Sequence, residues 1–238
     1  MHAHIALAFV VTAIALAAPL AYAATADAKT GSVLNAELTA YLADRATEFD
    51  QIPTERRAQL DRLAEYTKSK SLSSDTLKMI FVCTHNSRRS HMSQLWAAAS
   101  AKLHGIDLES YSGGTEDTAF NPRAVASLRR AGFTITQTAN AANPLYHIAM
   151  NDDPADTLTC WSKAYDNPPN PKDKFAAVMV CSDADETCPA VFGEDFHIAL
   201  PFIDPKVSDN TPAEAETYDE RCAQIAREML YVFTKANS

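Results

Sequence analysis

The sequence holds no Cys-x-x-Cys pair and no Cys and His set at the spacing of a zinc site, so no metal or other cofactor is expected. Basic residues are outnumbered, with 21 Lys and Arg against 30 Asp and Glu and a formal net charge of −9. That deficit argues against nucleic acid and anionic membrane surfaces as partners. An anionic ligand would have to be met by a local positive site, because the global field repels it. No internal repeat is present, which excludes a solenoid or propeller. What remains is ordinary: 238 residues, 47% hydrophobic and 21% charged, enough chain for one domain with additions or two small ones.

Residues 1–23 contain no Asp, Glu, Lys or Arg. An apolar run extends from Ile5 to about Leu20 and closes on Ala21-Tyr22-Ala23, with small residues at the −3 and −1 positions of a cleavage site. Residues 1–23 are therefore expected to be a signal peptide, cut before Ala24, and the protein to be periplasmic or secreted. An uncleaved membrane anchor is the other reading, since the run approaches spanning length. Pro19 and the small-residue exit favour cleavage, after which no stable membrane association is expected.

Five cysteines remain: Cys83, Cys160, Cys181, Cys188 and Cys222. An odd number in an exported chain leaves at least one thiol without an intramolecular partner. That thiol needs a chemical reason.

Residues 24–75 read as a linker and a helical extension. Leu34, Leu38 and Leu42, then Leu60, Leu63 and Ala64, recur at helical spacing, and Pro53 suits a helix start. The stretch carries no chemical motif and is expected to pack as a helical appendage. The main domain occupies residues 76–238. Leu77–Val82 reads as a buried strand, Arg89–Leu103 as a helix and Leu108–Ser112 as a strand. A helix begins at Pro122. Residues 142–174, rich in Pro, Asn and Asp, read as a long irregular excursion. Phe175–Val180 reads as a third strand, Ile198–Phe202 as a short fourth, and residues 213–235 as a final helix with Ile225, Met229, Val232 and Phe233 on one face. Strands alternating with helices predict an α/β domain with a parallel sheet.

The chemistry concentrates where the first strand meets its helix, in Cys83-Thr84-His85-Asn86-Ser87-Arg88-Arg89-Ser90. A strand-to-helix loop offers successive backbone N–H groups and the positive end of the helix dipole to an anion. Arg89 has a planar fork suited to two oxygens at once. Five residues separate it from Cys83, enough to wrap once around a tetrahedral oxyanion. Ser90 can hydrogen-bond the Cys83 sulfur and favour its thiolate.

This loop resembles that of the low-molecular-weight protein tyrosine phosphatases and of the thioredoxin-coupled arsenate reductases that share their fold. The likeness runs from about Leu77 to the C-terminus. Ser112-Gly113-Gly114-Thr115 and Asn121-Pro122-Arg123-Ala124-Val125 are similar to that family's second strand and helix, and Asp204-Pro205 resembles the pair carrying its general acid. The resemblance implies a four-stranded parallel sheet with helices on both faces, a nucleophilic Cys83, an oxyanion-binding Arg89 and an acid at Asp204. Thr84, His85, Asn86, Ser87, Arg88 and Ser90 would surround the oxyanion.

Three positions depart from the pattern. His85 stands where Gly is usual, and His suits a left-handed backbone less well. Arg88 replaces a common Cys, either adding positive charge to the site or pointing to solvent. Gln94 stands where some arsenate reductases have a Glu that helps to bind potassium, which counts against a bound cation.

Val180-Cys181-Ser182-Asp183-Ala184-Asp185-Glu186-Thr187-Cys188-Pro189 follows the third strand, at the carboxyl edge of the sheet beside the first loop. It resembles the redox segment of the thioredoxin-coupled arsenate reductases. The resemblance implies a relay through Cys83, Cys181 and Cys188, discharged by a thioredoxin-like thiol reductant. A static Cys181–Cys188 disulfide is the alternative in an oxidising compartment. Cys160 and Cys222 have no motif around them. Arsenate reduction is the first reading and hydrolysis of phosphate monoesters the second. An exported reductase would need an electron donor other than cytosolic thioredoxin.

Overall fold

The computed structural model describes residues 33–73, 75–138, 140–182 and 191–238. The expected signal peptide, and Asp183, Asp185 and Cys188, lie outside the described residues.

Four parallel strands form the central sheet, in the order β2-β1-β6-β7: β1 (Leu77–Cys83), β2 (Leu108–Gly114), β6 (Phe175–Met179) and β7 (Glu194–Ala199). β1 and β6 occupy the middle and are almost continuously apolar and buried, as a strand covered on both faces must be. Helices α1 (Ala36–Ala46), α2 (Thr54–Ser71), α3 (Arg89–Leu103), α4 (Pro122–Arg130) and α5 (Glu214–Ala236) complete the framework. The expected α/β fold with a helical N-terminal extension is borne out.

α5 is the hub, packing against α1, α2, α3 and α4. The expected face of Ile225, Met229, Val232 and Phe233 is buried, and so are Tyr218, Cys222, Leu230 and Tyr231. Leu38, Leu42, Leu60 and Leu63 belong to the same core as the strands.

Two sequence expectations need correction. The stretch expected to be irregular supplies two strands, β4 (Tyr146–Ala149) and β5 (Thr157–Cys160), which pair in order after β3 (Thr134–Gln137) in a second, antiparallel sheet. Each strand has four residues and mixes polar with apolar side chains, too short for a period to declare itself. The fourth parallel strand is Glu194–Ala199 rather than 198–202. Its Glu194, Asp195 and His197 disguise it, because an edge strand is only half buried. Leu200 and Phe202 still donate backbone hydrogen bonds to Met179 and Val180, so the chain stays tied to β6 up to the residues before Asp204.

Candidate active site

Parallel pairing brings the carboxyl ends of β1, β2 and β6 together. Cys83 faces Gly114 across the β1–β2 register. Val180, just past β6, donates its N–H to Val82 O, which places Cys181 beside the loop that leaves β1. Ligands in open parallel sheets bind at this edge.

The loop is held from outside by its carbonyls. Cys83 O accepts from Thr115 N–H, Thr84 O from Glu116 N–H and Ser87 O from Asn121 N–H. His85 O accepts from Thr118 Oγ1 at 2.9 Å and from Ser162 Oγ at 3.1 Å. With the carbonyls bound outward, the N–H groups of residues 84–89 have no acceptor among the described residues. The N-terminus of α3 likewise has no capping side chain and no acid in its first turn. Unpaired N–H groups at a helix start are an anion site.

Asn86 is the bracket of the loop. Its φ of +42° is left-handed, a conformation Asn tolerates better than most residues. The backbone demand thus falls on Asn86, whereas His85, the suspected position, is not left-handed. Asn86 Oδ1 accepts the Lys163 N–H at 2.9 Å, and Nδ2 donates to Ser90 Oγ at 2.8 Å. Ser90 Oγ therefore accepts from Asn86 and has its own proton free for Cys83 Sγ, 3.1 Å away. The backbone N–H fixes the orientation of the amide, and the amide fixes that of the hydroxyl.

Gly114 makes this packing possible. A Cβ there would lie 2.7 Å from both Asn86 N and Thr84 O, and 2.2 Å from Glu116 O. All three are backbone atoms, so the clash cannot be relieved by a rotamer change. Gly114→Ala is expected to lower stability by about 1–3 kcal/mol and to reduce kcat/KM by displacing the Asn86 amide. Unchanged melting temperature and unchanged kinetics would show that the loop is not braced here.

The other loop side chains divide in role. Ser87 Oγ donates to Ala119 O and is spent on structure. Thr84 Oγ1 lies 3.5 Å from Cys181 Sγ, linking the two thiol-bearing segments. The His85 imidazole is half exposed, 3.6 Å from Glu116. Arg88 does not reach into solvent. Its Nε donates to Tyr218 Oη at 2.8 Å, its Nη2 pairs with Asp209 at 3.4 Å, and its Nε stands 3.9 Å from Asp204.

Arg89 Nη1 donates to Phe202 O at 3.0 Å and Nη2 to Asp204 Oδ2 at 2.9 Å. The two terminal nitrogens expected to grip the oxyanion are thus each tied to the segment that follows β7, and the remaining N–H groups of the fork are those left for a ligand. Asp204 Oδ1 also accepts the Lys206 N–H at 3.0 Å. Its carboxylate is 30% exposed, so it can be reached from outside.

Cys83, Cys160, Cys181 and Cys222 are buried thiols. Burial pushes Cys160 up to about 12 and Cys222 up to about 11, which makes both poor nucleophiles. Trp96 Nε1 donates to Cys222 Sγ at 3.2 Å. Beneath the loop, His91 stacks on Phe120 at 4.0 Å. Burial first, and Lys163 second, hold its pKa well below the usual range. The structural partners Thr118, Ser162 and Lys163 carry no signal in the sequence, because they lie in segments with no periodicity, two acting through simple hydroxyls and Lys163 through its backbone N–H. Gln94 donates from Nε2 to Ser110 O at 2.9 Å.

Residues 78–157 match the family described as low molecular weight phosphotyrosine protein phosphatase. The arsenate reductase of Bacillus licheniformis is 31% identical over 157 residues, covering 65% of this chain and 93% of that protein. Arsenate reductase 2 of Staphylococcus haemolyticus is 30% identical over 115 residues, covering 48% of this chain and 68% of that one. Among solved structures, a low molecular weight protein tyrosine phosphatase from T. tengcongensis has a TM-score of 0.46 at 19% identity, covering 67% of this chain and 99% of that chain.

Proposed function

Since the chain belongs to the low molecular weight phosphotyrosine protein phosphatase family, and is an enzyme of that family, arsenate reductase or phosphatase, we propose that it reduces arsenate through Cys83 and a thiol relay. The observation that carries this reading is the contact between Thr84 Oγ1 and Cys181 Sγ. It sets a second buried thiol against the nucleophile's own loop, and ester hydrolysis has no use for one. The similarity to the arsenate reductase of Bacillus licheniformis over 93% of that protein supports the same choice.

In this mechanism the Cys83 thiolate attacks arsenic, and one As–O bond breaks. The departing oxygen takes a proton from Asp204 and leaves as water. The loop N–H groups and Arg89 hold the other oxygens. Cys181 then attacks Cys83 Sγ. The S–As electron pair passes to arsenic, arsenite departs, and a Cys83–Cys181 disulfide remains. Cys188 attacks Cys181 and frees Cys83. A thioredoxin-like dithiol then reduces the Cys181–Cys188 disulfide.

Asp204→Asn tests the acid. For an aryl phosphate with a weakly acidic phenol, kcat/KM is expected to fall by roughly 10²–10⁴-fold, the usual contribution of a positioned acid. For a strongly acidic phenol, which leaves unaided, the loss should be small. An equal loss for both would assign Asp204 to holding Arg89 alone.

A further inference from the structure

Arg56 lies in α2, within the stretch that reads from sequence as a helical appendage without chemistry. Its guanidinium is buried, with the side chain 12% exposed. Nε pairs with Glu228 Oε2 of α5 at 2.7 Å, and that carboxylate is 2% exposed. Glu228 Oε1 accepts from Gln224 Nε2 at 2.9 Å. The guanidinium carbon lies over the ring of Phe202, 4.8 Å from its centroid.

Phe202 is thereby gripped at three points. Arg56 holds its ring, Val180 O accepts its N–H at 3.1 Å, and its own carbonyl accepts from Arg89 Nη1 at 3.0 Å. Two residues on, Asp204 takes Arg89 Nη2. Arg89 thus bridges the Phe202 carbonyl and the Asp204 carboxylate, and only one residue separates the two along the chain, so the placement of Phe202 bears on that of the acid. A buried ion pair is a poor source of stability, because desolvation of both charges offsets their attraction. A flat, immobile cation over an aromatic ring is a good clamp, since the ring face and the charge attract. The Glu228 carboxylate keeps that cation oriented.

We infer that Arg56 is a positioning residue for the active site, acting through Phe202 to hold the Asp204 carboxylate in register with the Cys83 loop. The N-terminal helices are then part of the catalytic scaffold. This rests on the reading that Asp204 is the general acid.

The test uses aryl phosphates whose phenols range from strongly to weakly acidic. Arg56→Met alone would leave Glu228 buried and unpaired, with a risk of unfolding. Arg56→Met/Glu228→Met removes both charges at similar volume, and Phe202→Leu removes the ring while leaving the ion pair intact. Both are expected to keep a cooperative melting transition. In both, kcat/KM should fall by about tenfold or more for weakly acidic phenols and by less than about threefold for strongly acidic ones, within the range of a displaced acid. Introduced into Asp204→Asn, neither change should cost much further, because sites that act as one unit are not additive. Equal losses across all phenols, unchanged kinetics in a folded variant, or full additivity with Asp204→Asn would overturn the inference. If Asp204→Asn itself shows no dependence on the phenol, the general-acid reading fails and the inference falls with it. If Asp204→Asn shows the dependence and the Arg56 and Phe202 variants do not, only the inference fails.

Discussion

Cys83→Ser is expected to abolish both arsenate reduction and aryl-phosphate hydrolysis in a protein that remains folded. The sulfur sits at the end of β1, buried, 3.1 Å from Ser90 Oγ. A serine hydroxyl fits that space and keeps the contact with Ser90. It is a much weaker nucleophile near neutral pH, and it cannot form a disulfide. Reduction of arsenate loses its electron source, and hydrolysis loses its covalent intermediate. The loss in kcat should reach about 10⁴-fold or more, the scale on which deleting a nucleophile acts. The melting temperature of the variant, read beside its kinetics, separates chemistry from folding. A folded Cys83→Ser protein with near-normal turnover would remove the foundation of the proposed mechanism.

Cys188→Ser should release arsenite once and then stop, trapping a disulfide between Cys83 and Cys181. Cys181→Ser should stall one step earlier, at the Cys83–arsenic adduct. Neither change should affect aryl-phosphate hydrolysis by more than a few-fold, because that reaction uses only Cys83, Arg89 and Asp204. These expectations follow from the order of thiol attack. Cys181, against Thr84, is the thiol within reach of the loop that carries Cys83, and Cys188 is the thiol seven residues farther along. Non-reducing peptide mapping after one equivalent of arsenate decides the matter. If the Cys83–Cys181 bond is missing from Cys188→Ser while phosphatase activity persists, the pair is a structural disulfide. The family's other activity, hydrolysis of phosphate monoesters, then becomes the better description.

Much of this site was legible before any coordinates. β1, the anion loop and α3 are contiguous, and each announces itself locally. The apolar run marks the central strand, the polar residues mark the loop, and α3 spans Arg89–Leu103 as its pattern indicates. Ser90 lies where it can serve the sulfur. The partners of the loop were less visible. Asn86 carries the left-handed backbone, one residue past the His85 that stands where Gly is usual. Nothing in the motif says that its amide is pinned by the backbone of Lys163. Arg88 left two readings open, and its bonds to Tyr218 and Asp209 decide against solvent.

The sequence by itself determined the order of the parallel strands' segments along the chain, the place of Cys83 at the end of β1 and the loop that follows it. These depend on periodicity, turn chemistry and spacing within a few residues. Only the tertiary structure decided which distant groups share a space. Thr84 meets Cys181 across 97 residues of chain, Arg89 meets Asp204 across 115, and Arg56 meets Glu228 across 172. Such contacts arise from strand register and helix packing, which put residues together by geometry. A local pattern reports whether a side chain is buried and carries no record of what it is buried against.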